Sequence, residues 1–126
     1  RAAYKSRLVS SNDSAAAVTT DRLGNVYVAG KSDSTLSAFD FVTIKHDVNG
    51  SKQWISRYNG PSDGDDVPSS IATDDSGNVY VAGRSYNTQT LDDLCLIKYA
   101  FLYKFFCNGS TNFFIRSDDH PNVGFF

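Results

Sequence analysis

Apolar positions along this chain fall into short runs, and turn chemistry closes each run. Ala15–Thr20 is small and β-branched, Asn25–Gly30 (NVYVAG) is rich in β-formers, Asp40–His46 (DFVTIKH) alternates, and Gln53–Tyr58 (QWISRY) follows. Runs of this length and make-up predict strands. Between them, Asp21–Asn25 (DRLGN) predicts a tight hairpin. Asp47-Val48-Asn49-Gly50 carries the Asn-Gly pair favoured in two-residue hairpin turns. The stretch Gly60–Gly64 (GPSDG) predicts a longer polar connection. No segment has a helical period, so the chain is expected to be all-β.

The pattern then recurs at an offset of 53 residues. DRLGNVYVAG at 21–30 returns as DDSGNVYVAG at 74–83, and 13–46 aligned without gaps on 66–99 gives about 15 identities in 34 positions. A period of this size lies near the four-strand propeller-blade range and above helical solenoid periods. Within NVYVA, Val26 and Val28 point one way while Tyr27 and Ala29 point the other. Both faces are therefore apolar, where a sheet with one wet face would alternate apolar with polar. Propeller blades pack face to face and bury both sides of their middle strands. The expectation is two four-stranded antiparallel blades of an incomplete β-propeller. The small strand Ala15–Thr20 suits the crowded position nearest the axis, and Trp54 and Tyr58 suit the roomier outer strand.

The limits of the repeat divide the chain. Residues 1–12 are expected to end a preceding blade, 13–61 to form the first blade, and 62–117 the second, with an irregular last strand; 118–126 form a tail. Seven of the nine Phe lie in 101–126, and the 53-residue register fails past Tyr99. Two readings of that region stand. In one, the echo of Asn49–Trp54 at Asn108–Phe113 marks a fourth strand delayed by six extra residues. In the other, the coding sequence degenerates or shifts frame. The chain begins with Arg1 and contains no Met, so a fragment or processed product is expected.

At the level of DRLGNVYVAGKS, DFVTIKHDVNGSKQW and SRYNG, the chain resembles the bacterial and archaeal β-propeller repeat known as SBBP. The first unit matches throughout, and the second from Asp66 to Tyr99. The resemblance implies a secreted or cell-surface protein and offers no catalytic residues to carry over. In the related NHL-type propeller an acidic segment usually follows the second strand. Here Gly30-Lys31-Ser32 and Gly83-Arg84-Ser85 hold that place.

Composition narrows the chemistry. Twelve Lys and Arg stand against fourteen Asp, a net charge of −2, which argues against nucleic acid as a partner. No apolar stretch is long enough to span a bilayer. Gly30-Lys31-Ser32 has the wrong spacing from Gly24 for a phosphate loop and is read as a strand end. Acidic turns at Asp47, Asp63–Asp66 and Asp74–Asn78 hold calcium-type oxygen donors, with Asp63, Asp65 and Asp66 the best placed. Asp in a turn ordinarily bonds its own backbone, so structural turns are the expectation and no metal or cofactor is assigned. His46 and His120 are too few and too dispersed for a triad or a zinc site. Lys45 and Lys98 are read as snorkelling stems partnered by a rim carboxylate such as Asp40 or Asp93. Cys95 reads as a small buried hydrophobe, and a bridge to Cys107 stays open. Asn12, Asn49 and Asn108 head Asn-x-Ser sequons. The expected function is a non-catalytic structural or interaction module, whose partners are further blades, a second copy, or a protein or glycan ligand. The alternatives are a lectin-like propeller and a central-channel enzyme.

Overall fold

The computed structural model describes residues 12–33, 38–60, 64–89 and 91–99 in full, and the backbone alone of 103–108, 110–117 and 123–125. Strands β1 (Asp13–Thr20), β2 (Val26–Asp33), β3 (Phe39–His46) and β4 (Lys52–Tyr58) form one antiparallel sheet in sequence order. Strands β5 (Asp66–Thr73), β6 (Val79–Asn87) and β7 (Leu91–Tyr99) repeat the first three as a second sheet. Backbone strands β8 (Tyr103–Asn108), β9 (Ser110–Ser117) and β10 (Val123–Phe125) continue that sheet outward from β7. The all-β expectation holds, as two open sheets stacked like the blades of an incomplete propeller. Arg1–Leu8 and the side chains of His120, Cys107 and Asn108 lie outside the described residues.

The strands run further than their apolar runs. β2 and β6 continue through Gly30 and Gly83 to Asp33 and Asn87, so these glycines do not mark strand ends. Each sits opposite a β-bulge in the neighbouring first strand, where the register slips between Ala15 and Ala17 and again between Pro68 and Ser70. A Cβ on Gly30 would strike the Ser14 carbonyl oxygen, and one on Gly83 the Val67 carbonyl oxygen. Glycine recurs there because the bulge brings backbone against backbone.

Register divides each sheet into two faces. In the first sheet Tyr27, Ala29, Phe41, Thr43, Trp54, Ser56 and Tyr58 share one face, called here the tyrosine face. Val18, Val26, Val28, Val42 and Ile44 share the other, the valine face. In the second sheet Tyr80, Ala82, Leu94 and Leu96 form the tyrosine face, and Ile71, Val79, Val81, Cys95, Ile97 and Tyr99 the valine face. The core joins the tyrosine face of the first sheet to the valine face of the second. Trp54 and Tyr58 do lie on the outermost strand of the first sheet. They turn into this junction, with Trp54 5.1 Å from the Tyr99 ring and Tyr58 5.8 Å from Phe41.

Candidate functional site

Three hairpins are built on one device, Asp-x-x-Gly. In Asp21–Asn25, Asp47–Ser51 and Asp74–Asn78 the glycine N–H donates to the aspartate carbonyl, and the glycine takes positive φ, 83°, 84° and 80°. The Asp47 turn is therefore a three-residue loop, not the two-residue turn expected from Asn49-Gly50. A two-residue loop of the Asn-Gly type needs positive φ at both residues, and only Gly50 has it. One oxygen of each aspartate accepts the backbone N–H groups two and four residues on. The other oxygen accepts side chains: Asn25 and Tyr27 at Asp21, Gln53 at Asp47, and Asn78 and Tyr80 at Asp74.

These carboxylates are occupied by their own turns. At Asp74 the bonds from Asn78, Tyr80 and Ser76 outweigh slight desolvation and hold the carboxyl down to about 2. At Asp21 partial burial opposes, but bonds from Asn25, Tyr27 and Leu23 together still lower it. A carboxylate held below its unfolded value adds stability above that value and loses it as pH falls through the folded one. Carboxyl NMR should place the Asp74 midpoint near 2, and Asp74→Asn should lower the melting temperature at pH 7 while changing it little at pH 2. A midpoint near 4 would show that the turn bonds leave the carboxylate unaffected.

The junction itself combines apolar packing with buried polar links. Ala29, Phe41, Val81, Cys95 and Ile97 are fully buried, as expected for Cys95. Burial raises the Tyr99 phenol to about 12, against bonds from Thr43 and Ser56, and its hydroxyl donates to Thr43 Oγ1 at 3.0 Å. Thr73 Oγ1 donates to the Thr20 carbonyl at 2.9 Å, and Phe39 N–H to Asp65 Oδ1 at 3.2 Å. Each link joins one blade to the other or to its lead-in.

Asp66 lies at the same seam, fully buried, accepting from Gly60 N–H at 2.7 Å and from the Ser85 hydroxyl. Burial pushes its carboxyl up, opposed by those two bonds and reinforced by the nearby charges of Asp40 and Asp65. A raised carboxyl favours folding below its unfolded value, and that contribution is lost as pH rises through the folded one. Asp66→Asn keeps an acceptor for Gly60 and can donate to Ser85 Oγ. It should hold or raise the melting temperature at pH 7, with the gain vanishing in acid. An equal loss at both pH values would mean that the carboxylate geometry outweighs its desolvation.

Other candidates resolve into packing. Asp63 lies outside the described residues, and Asp65 and Asp66 are engaged as above. Among the described residues no cluster of His, Cys and Asp is arranged to hold a metal. Lys31 stands over the Phe39 ring, and Ser32 donates to Asp13, so that stretch serves the sheet. Lys45 stands over Tyr27 and Lys98 over Tyr80, at 5.5 and 5.6 Å. Asp40 is bound instead by Arg57 at 2.9 Å. Residues five apart in a strand face opposite ways, which separates Lys45 from Asp40. His46 ends β3 at the position that Tyr99 holds in β7.

The feature that stands out is an uncovered face. Phe41 is 0% exposed, whereas Leu94, its counterpart on the second sheet, is 76% exposed and Leu96 is 39%. Among the described residues no helix is long and apolar enough to cross a membrane. A search of curated proteins gives no match. A family model described as the SBBP beta-propeller repeat matches residues 9–36 and 53–88, just over half of the chain. With two such repeats stacked face on face, the chain belongs to the SBBP beta-propeller repeat family.

Proposed function

We propose that the chain is a non-catalytic structural and interaction module, two adjacent blades of a larger β-propeller that works outside the cell or on its surface. The observation that carries the reading is the inequality of two equivalent faces, one sealed over Phe41 and one open at Leu94 and Leu96. A surface of this kind is a place for a partner to pack. The turn carboxylates at Asp21, Asp47 and Asp74 are engaged by backbone and side-chain donors, which supports a structural role for them. The first strands β1 and β5, the natural axis-side strands, offer no ionisable side chain between their opening aspartates, Asp13 and Asp66, and the turn aspartates Asp21 and Asp74.

A glycan array with the intact chain tests the reading. No saturable hit is expected. A hit that survives Leu94→Asp would overturn the scaffold assignment in favour of a lectin-like site elsewhere on the blades.

A further inference from the structure

In an Asn-Gly pair the glycine carries no side chain, so its backbone nitrogen can approach the asparagine side-chain carbon closely. The chain holds three such pairs, Asn49-Gly50, Asn59-Gly60 and Asn108-Gly109, the third of which falls outside the fully described residues. The first two share this sequence and differ in surroundings. Asn49 and Gly50 are both exposed at the tip of the β3–β4 hairpin. The Gly50 N–H donates to the Asp47 carbonyl at 2.9 Å, and nothing lies within 4 Å of where a Gly50 Cβ would stand. Opening this loop uncovers only groups that water can satisfy at once. The two matching Asp-x-x-Gly loops place Leu23 and Ser76 before their glycines, so neither offers a side-chain amide there.

Gly60, by contrast, is buried at the seam between the blades. Its N–H donates to Asp66 Oδ2 at 2.7 Å, and a Cβ there would strike Ser85 Oγ and Asp66 Oδ1. Freeing this nitrogen means breaking a bond to a buried carboxylate and loosening the lead-in to the second blade.

We propose that Asn49 is a site of spontaneous modification, deamidating through attack by the Gly50 nitrogen, and that the blade seam withholds the same reaction from Asn59. The Gly50 nitrogen bonds to Asn49 Cγ, the Cγ–Nδ2 bond breaks, and ammonia leaves with the proton that the Gly50 nitrogen carried. Water then opens the resulting succinimide at either carbonyl, giving aspartate or isoaspartate. Aspartate adds a negative charge two residues from Asp47. Isoaspartate adds a methylene to the backbone of a three-residue loop, which shifts the N–H groups of residue 49 and Ser51 away from Asp47 Oδ1.

Peptide mapping of the intact chain, incubated at pH 7 over several weeks, tests this. Trypsin places the three pairs on separate peptides, 46–52, 58–84 and 105–116. Each exchange of amide for acid shows as a mass gain, which fragment ions assign to a residue. Asn49 is expected to convert at least about tenfold faster than Asn59, the worth of one hydrogen bond to a carboxylate. In urea the two rates should converge, since loop and seam are then both gone. Asn49→Gln should abolish the gain in peptide 46–52, because ring closure then needs one more atom. Equal rates in the folded chain overturn the proposal. So does an Asn49 that reacts in urea but not when folded, since the Asp47 carbonyl bond would then be lock enough. A gap that persists in urea overturns it as well, by placing the cause in the flanking sequence.

Discussion

Gly83→Ala is expected to cost about 3 kcal/mol or more and to erase the cooperative melt, because overpacking at a rigid contact forces backbone to move. The new Cβ would meet the Val67 carbonyl oxygen, the Pro68 Cα at 2.6 Å and the Phe41 ring at 2.9 Å. Two of these are backbone atoms of the bulged strand, and Phe41 is itself locked in the junction, so none can swing aside. The bulge and the junction would be disturbed together. Gly77→Ala supplies the contrast. Its Cβ meets nothing within 4 Å, and the only penalty is a side chain at φ 80°, about 1 kcal/mol. Urea unfolding followed by Trp54 fluorescence compares the two. Similar small losses would mean that the first strand yields easily and that the bulge is not a fixed element.

Phe41→Ala should be nearly as damaging, at about 3–5 kcal/mol for a fully buried aromatic ring. Among the described residues Phe41 is the largest fully buried side chain, and it packs against Tyr58 as well as Gly83. Truncation would leave a hole between the sheets where stiff strands cannot collapse. Its repeat counterpart provides an internal control, since Leu94 is exposed and Leu94→Ala should change the melt of dilute protein by less than about 0.5 kcal/mol. Equal losses at the two positions would refute the assigned stacking order. A larger loss at Phe41 supports it.

Much of the architecture is written in local chemistry. Strand order, the Asp-x-x-Gly loops and the two-sided apolar pattern all follow from residues adjacent in sequence. The burial of each face does not. VYVAG occurs in both units with identical residues, yet Tyr27 and Ala29 are buried in one while Val79 and Val81 are buried in the other. That choice depends on which neighbour is present, and no local pattern contains it. The bulge is hidden in the sequence because Ala15-Ala16-Ala17 has no polar residue to expose a slip in the two-residue period. The glycine opposite, recurring as Gly30 and Gly83, was its signal. The exclusion of Asp40 as the Lys45 partner is legible, because a spacing of five in a strand places the two on opposite sides. The role of Asp66 is not, because its partner Ser85 lies 19 residues away.

The tyrosine face of one unit fits the valine face of its neighbour, not another tyrosine face. A gene encoding such a unit therefore makes its own complement whenever it is copied in tandem: every duplication adds one donor surface and one acceptor surface with no new fitting required. Substitutions at the contact are filtered against a neighbour carrying nearly the same sequence, so the two faces are held to change together. Copy number can drift while each seam stays compatible. The residues most constrained under that regime are those that touch two units at once, such as Gly83, which meets its own bulged strand and Phe41 of the neighbour.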